Sequence, residues 1–357
     1  MNQTIVLTGG GTAGHITPNL ALIPLLQARG WTVHYIGGHS GMERTLVEGL
    51  PGVTYHGISC GKLRRYRDLK NLSDPFRVLA GLGQAAGVLR RVKPSVVFSK
   101  GGFVSVPVAW AAALAGVPMV LHESDITPGL ANKLALPFAR RICTTFPETA
   151  KELGPKARHT GTPIRGALLT GDRARGLAAC GFADNGMPTL LMMGGSQGSS
   201  AINGALRAIL TKLSRTLRVI HLCGQGNLDA ALEGTPGYAQ FEYVSDGLPD
   251  LLAAADLVVS RAGANSLYEF LALQKPMLLI PLPLSASRGD QIDNAKSFSA
   301  QGFARVLGQD AMTEDSLYDA ILNAWAGRTD MRRAMAAAPS GNGTDAVLEE
   351  IERTAKK

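Results

Sequence analysis

Aromatic side chains make up only 6% of the 357-residue sequence, and there are four cysteines. So few aromatics leave little for the stacking platforms that hold single-stranded nucleic acid. Cys60, Cys143, Cys180 and Cys223 lack the paired spacing of a zinc site. Reduced thiols are therefore expected, with neither a disulfide framework nor a structural metal. No run reaches the roughly 18 to 20 apolar residues that span a bilayer, and the N-terminus lacks a basic region followed by an apolar one. The chain is expected to be neither secreted nor integral to a membrane. Low-complexity segments, short repeats and Asp-x-Asp motifs are also missing. What remains is the composition of an α/β enzyme, too long for one ordinary core, so two domains are expected.

Charge is unevenly spread. The net value is +8, with +10 in residues 1–162, −1 in 163–340 and −1 in 341–357. Such asymmetry points to an anionic partner for the first half, either nucleic acid or an anionic membrane face. Lys62, Arg64, Arg65, Arg67 and Lys70 lie in a short loop-like span before Ser73-Asp74-Pro75, which reads as a helix start. The helix that follows carries Phe76, Leu79, Gly83 and Ala86 on one face, Val78, Leu82, Ala85 and Leu89 on another, and Arg90, Arg91 and Lys93 at its end. A core helix with solvated charges at its ends would have this pattern. So would a membrane-contact patch whose cations meet anionic headgroups, and because the cations flank apolar rather than aromatic residues, the membrane is favoured over nucleic acid.

Apolar and helical runs alternate through the first half: Thr4–Leu7, a helix from Pro18 to Arg29, Thr32–Ile36, a helix near Met42–Leu50, Val53–Gly57, Ser95–Phe98, the helix Pro107–Ala115, Pro118–Leu121, the helix Asn132–Leu136 and a last strand Arg141–Thr145. This alternation predicts a parallel sheet with helices on both faces. Between the first strand and helix lies Thr8-Gly9-Gly10-Gly11-Thr12-Ala13-Gly14-His15-Ile16-Thr17-Pro18, in which Thr17 and Pro18 read as N-cap and N1. Glycines there let peptide N–H groups approach an anion, and His15 can exchange protons near neutral pH. Tight helix-on-strand packing would also explain the glycines. A dinucleotide enzyme should end its second strand in an acidic residue, but Tyr35-Ile36 runs into Gly37-Gly38-His39-Ser40, which counts against a nicotinamide cofactor. Ser99-Lys100-Gly101-Gly102-Phe103 forms a second glycine turn, and His122-Glu123-Ser124-Asp125 places polar residues at a strand's carboxyl end, although local capping would explain Asp125 alone.

After the linker Gly161-Thr162-Pro163-Ile164-Arg165 the plan repeats. The strand Thr189–Met193 leads into Gly194-Gly195-Ser196-Gln197-Gly198-Ser199-Ser200 and the helix Ala201–Leu213, followed by Leu217–Leu222, Phe241–Val244, Leu257–Ser260 and Met277–Pro281. Arg261-Ala262-Gly263-Ala264-Asn265-Ser266 opens a helix with Glu269 read near its first turn, where a carboxylate either complements the helix dipole or accepts both hydroxyls of a ribose. Arg288 to Ala295 is amide-rich, and a final helix, Thr344–Ala355, follows Ser340–Gly343.

Taken in order, the runs TGGGTAGHITP, KGGF, HESD, GTPIR, GGSQGS, RAGANSLYE and DQIDNA resemble the MurG family of bacterial glycosyltransferases over essentially the whole chain. The resemblance implies the GT-B architecture, two Rossmann-like parallel-sheet domains facing across a cleft. It implies an N-terminal acceptor and membrane-associating domain over residues 1–162 plus 341–357, and a UDP-sugar-binding domain over 163–340. It further implies transfer of N-acetylglucosamine from UDP-N-acetylglucosamine to the C4 hydroxyl of the muramyl sugar of lipid I, with inversion, giving lipid II at the cytoplasmic face of the cell membrane. By position, Thr12, Ala13 and Gly14 match first-loop donor contacts, and His15 matches the loop histidine. Arg165 and Ser196 match contacts to the nucleotide sugar, and Val244 the backbone that meets uracil. Ala264, Asn265, Ser266, Leu267, Tyr268 and Glu269 match the helix-start segment, with Glu269 on ribose, and Gln291 matches the amide that reads the transferred sugar.

Two positions depart from the family pattern: Ala13 replaces a glycine, and Asp125 stands where many members carry asparagine. A carboxylate at 125 still accepts sugar hydroxyls but lacks the amide donor. Without an Asp-x-Asp motif, the departing diphosphate is expected to rest on backbone N–H groups, helix dipoles and Arg165, with no metal or cofactor. His15 is preferred as the base over Asp125 and Glu123. A UDP-N-acetylglucosamine 2-epimerase-like enzyme and a non-enzymatic nucleotide-sugar-binding protein are the alternatives.

Overall fold

The computed structural model describes residues 3–61, 70–195, 198–339 and 341–355, the side chains of 70–73 excepted. The basic span Lys62, Arg64, Arg65 and Arg67 and the loop residues Ser196, Gln197 and Ser340 lie outside the described residues, as does the side chain of Lys70. Two compact units divide the chain, one of Met1–Arg165 with Asn342–Lys357, the other of Gly166–Gly341.

In the first unit, buried β-rich tracts alternate with helices: β1 (Thr4–Thr8), α1 (Ala13–Ala28), β2 (Thr32–Gly38), α2 (Met42–Val47), β3 (Val53–Ile58), α3 (Lys70–Val92), β4 (Val96–Ser99), α4 (Ser105–Leu114), β5 (Met119–Glu123), α5 (Leu130–Ala135), β6 (Arg141–Thr144), α6 (Pro147–Leu153) and β7 (Ala157–His159). All seven strands are parallel in the order β3-β2-β1-β4-β5-β6-β7. Alternation along β1 sends Ile5 and Leu7 to one face, against Ile16, Leu22 and Leu26 of α1, and Val6 to the other, against Ala85 and Leu89 of α3 and Val108 of α4.

The second unit contains α7 (Arg173–Ala179), β8 (Thr189–Met193), α8 (Ser200–Leu213), β9 (Arg218–Leu222), β10 (Tyr238–Phe241), α9 (Leu248–Ala254), β11 (Leu257–Ser260), α10 (Ala264–Ala272), β12 (Met277–Leu279), α11 (Asp290–Ala300), β13 (Ala304–Val306), α12 (Glu314–Ala326) and α13 (Arg328–Ala337). Its parallel sheet runs β10-β9-β8-β11-β12-β13. In both sheets the order reverses beside the first strand, and ligands of open α/β sheets bind at the carboxyl ends of the strands flanking such a reversal. The fold thus selects the loops after β1, β4, β8 and β11. The last helix, α14 (Thr344–Thr354), returns to the first unit, where Val347, Leu348 and Ile351 join the α1 core and Asn342 bridges Thr162.

Several boundaries differ from the sequence reading. Helix α1 begins at Ala13, so Thr17 and Pro18 are internal rather than capping, and Thr17 Oγ1 donates to the Ala13 carbonyl at 2.9 Å. α3 starts by Lys70 with Pro75 inside it. β10 lies three residues before the expected Phe241–Val244 segment, and the short edge strands β7 and β13 extend the sheets beyond the strands read from the sequence. Three-residue edge strands carry too little alternation to register as a pattern.

Candidate active site

In the first unit the loops after β1 and β4 interlock. Gly10 N–H donates to the Gly101 carbonyl at 3.3 Å, and a Cβ on Gly102, whose φ is +86°, would sit 2.1 Å from the Gly10 carbonyl oxygen, so only glycine allows the approach. Thr12 is the N-cap of α1 with extended backbone and makes no side-chain cap bond. Ala13, Gly14 and His15 form the first helical turn, in which the His15 N–H donates to the Thr12 carbonyl at 3.1 Å. Ala13 has ordinary negative φ, which is why a residue other than glycine is accepted there. Thr12 and Gly14 are exposed and His15 half-buried.

His15 Nδ1 lies 3.1 Å from the Lys100 carbonyl. A carbonyl only accepts, so Nδ1 carries the proton and the neutral ring keeps its lone pair on Nε2. This is the tautomer a general base at this position requires. Beneath the loop, Glu43 is buried, its carboxylate accepting the Gly11 N–H at 3.1 Å and the Gly38 N–H at 3.2 Å. The sequence reading missed it, because a lone acidic residue in a short helix carries no local signal. Of the HESD run, His122 and Glu123 lie within β5 and are buried. Glu123 accepts Asn132 Nδ2 at 2.7 Å and the N–H groups of Asp125 at 3.0 Å and Gly129 at 3.3 Å, and burial raises its pKa. The cap of α5 is Gly129, so capping does not account for half-buried Asp125. Arg165 is half-buried, and its Nε is buried without a hydrogen-bond partner.

In the second unit, the N-cap Ser199 accepts the Ile202 N–H at 3.5 Å and receives Arg261 Nη2 at 2.8 Å. Arg261 also donates to the Ile280 and Pro281 carbonyls at 3.0 and 3.3 Å. Burial lowers its pKa, and it fixes the ends of β11 and β12 beside the glycine turn. α10 starts at Ala264 after the cap Gly263. Glu269 therefore lies in the second turn, not the first, which removes the helix-dipole explanation for it. Asn265, Ser266 and Glu269 are half-buried. Leu267 and Tyr268 are core side chains, 0% and 4% exposed, with Tyr268 packed edge-on against Phe298, so neither side chain faces outward. Gln291 Oε1 accepts the Ala262 and Leu282 N–H groups at 3.3 and 3.1 Å, which leaves its NH2 as the group able to meet a sugar hydroxyl. Val244 is half-buried past the end of β10.

Among the described residues no cluster of three or more His, Cys, Asp or Glu could hold a metal ion, and no helix is long and apolar enough to cross a membrane. The glycosyltransferase family 28 N-terminal domain matches residues 5–144 and the family's C-terminal domain residues 189–351. A UDP-N-acetylglucosamine--N-acetylmuramyl-(pentapeptide) pyrophosphoryl-undecaprenol N-acetylglucosamine transferase of Lachnospira eligens is 52% identical over 355 residues, covering 99% of this chain and all of that one. A relative of the same name from Geobacillus thermodenitrificans is 52% identical over 357 residues, with both chains fully covered. The crystal structure of Acinetobacter baumannii MurG superposes with a TM-score of 0.78 at 26% identity, covering 98% of this chain and 99% of that one. A Neisseria meningitidis UDP-GlcNAc 2-epimerase, solved bound to UDP-GlcNAc, reaches a TM-score of 0.71 at 13% identity over 98% of this chain and all of that one, a likeness of fold alone. Full-length identity, rather than the shared fold, separates the two activities: the chain is a glycosyltransferase and belongs to the MurG family of N-acetylglucosamine transferases.

Proposed function

We propose that this chain transfers N-acetylglucosamine from UDP-N-acetylglucosamine to the C4 hydroxyl of the muramyl sugar of lipid I, forming lipid II with inversion at the anomeric carbon. The observation that carries the reading is full-length identity of 52% to the transferases of that name. In this reading the second unit holds the donor. Glu269 accepts the ribose hydroxyls, the Val244 backbone meets uracil, and the Gln291 NH2 meets the sugar. The diphosphate is held by the glycine turn with Ser196 and by the start of α10 from Ala264 to Ser266.

The first unit handles the acceptor and its proton. As the C4 oxygen bonds to the anomeric carbon, the bond from that carbon to the β-phosphate oxygen breaks, the electron pair leaves with UDP, and the hydroxyl proton passes to His15 Nε2. Thr12, Ala13 and Gly14 are substrate contacts of the loop after β1, and Asp125 accepts a sugar hydroxyl. Electrostatic stabilisation of the leaving group is the largest demand on the site.

The same reading places the first unit on an anionic membrane surface. On α3, Leu82, Ala85 and Leu89 face the core, whereas Phe76 and Leu79 are 74% and 59% exposed. Leu79, with Val78, Phe103, Val106, Trp110 and Leu134, lines an apolar recess of about 330 Å³. Exposed Arg77, Arg90 and Lys133 lie on the same elements. Leu82 belongs to the packed face, so Phe76 and Leu79 are the residues to change. Incubation with labelled UDP-N-acetylglucosamine and a lipid I analogue should give a disaccharide-lipid product; release of free sugar or an epimerised nucleotide sugar would overturn the assignment. Sedimentation with anionic liposomes should fall at least tenfold for a Phe76→Ser, Leu79→Ser variant, and equal sedimentation would remove the membrane role.

A further inference from the structure

Lys100 follows β4 with its side chain wholly buried. Its backbone is engaged on both sides, the N–H donating to the Thr8 carbonyl at 2.9 Å and the carbonyl accepting His15 Nδ1 at 3.1 Å. Its Nζ donates to Ser124 Oγ. The titratable groups facing the ammonium are Glu123, Asp125 and His122 from β5 and the turn after it, and Cys143 from β6. Glu123 accepts Asn132 Nδ2 and two backbone N–H groups. One residue therefore connects the backbone that orients the imidazole with the turn that carries Asp125.

A lysine here is costly. Burial lowers its pKa to about 8, and an apolar side chain of similar length would fill the same space without desolvating a charge. Buried ionisable groups beside a cluster of polar residues mark functional sites more often than packing needs.

We propose that Lys100 is a positioning residue for acceptor chemistry: its ammonium, tethered to Ser124, holds the turn that carries Asp125 in register with the backbone carbonyl that orients His15. This rests on the reading of the first unit as the acceptor side.

The test is the steady-state kinetics of the full-length enzyme at pH 7, with UDP-N-acetylglucosamine and a soluble lipid I analogue each varied in turn. Lys100→Met should cut kcat/KM for the acceptor at least tenfold at pH 7, with the donor KM within twofold. Ser124→Ala keeps the charge but loses its tether, and should lower acceptor kcat/KM about threefold or more. Wild-type acceptor kinetics in Lys100→Met, or donor and acceptor constants falling together with the melting temperature, would overturn the proposal. Should Lys100→Met not fold, acceptor kcat/KM within twofold of wild type in Ser124→Ala would do so. His15→Ala, run alongside, separates the two ideas. An inactive His15→Ala beside an unaltered Lys100→Met defeats the lysine's role alone, whereas a fully active His15→Ala defeats the reading of the first unit.

Discussion

The glycine turns that open the two sheets, after β1 and after β8, look alike in sequence and are supported by groups of opposite charge. Under the first lies the Glu43 carboxylate, which takes the Gly11 N–H; beside the second lies the Arg261 guanidinium, bonded to the cap Ser199. A glycine-rich turn is therefore not in itself a phosphate site, since what its backbone donors face is set by the side chain packed behind it. A turn braced by a carboxylate has part of its donor capacity used internally and suits hydroxyl and proton chemistry. A turn braced by guanidinium keeps positive potential for a diphosphate.

The largest effect should come from the first turn. His15→Ala should lower kcat by about 100- to 10,000-fold with donor KM nearly unchanged, read by steady-state kinetics; a loss below tenfold would leave His15 as a ligand only. The second turn should respond in the opposite parameter: Arg261→Met should raise donor KM about 10- to 100-fold and leave acceptor KM alone, and a change confined to the acceptor would reverse the assignment of the units.

Acid should act on the second unit through His221, whose Nδ1 and Nε2 lie 2.8 and 3.0 Å from Tyr238 and Asn203 and whose pKa burial lowers to about 4. The unfolded chain binds this proton near 6.5 and the native one near 4. The associated stability is thus present above pH 6.5 and lost as the pH falls toward 4, at most about 3 kcal/mol. Urea unfolding at pH 7 and pH 4.5 should show that loss, and His221→Gln should flatten it. The smallest effect should come from Glu43→Gln, which turns one acceptor oxygen into a donor facing an N–H. It should reduce acceptor kcat/KM about tenfold while donor KM holds, and a selective donor defect would erase the distinction between the turns.

Much of the architecture was legible because parallel strands buried on both faces, such as Thr189–Met193 and Leu257–Ser260, read as short apolar runs between glycine turns. Helix starts were harder to read. α1 carries Pro18 and Pro24 inside it and buries residues on several sides, so no periodicity marks Ala13 as its first residue, and Thr17-Pro18 imitates a cap. The same difficulty shifted Glu269 by a turn. The outward residues of the site could be named from motifs, but Leu267 and Tyr268 lie on the buried side of the same motif, and sequence adjacency does not distinguish the two faces. Glu43, Arg261 and the tether from Lys100 to Ser124 join residues far apart in the chain, so each partner has a bland local context.

The return of α14 to the first unit sets an order of events at the ribosome. Ile5 and Leu7 emerge about 340 residues before Val347, Leu348 and Ile351, which share their core. Domains fold as units during synthesis, so residues 166–341 can fold in one piece while the first unit still waits for the helix that seals it. A chain released before residue 344 would expose apolar surface beside α1, and quality control would meet the defect in the half synthesised first.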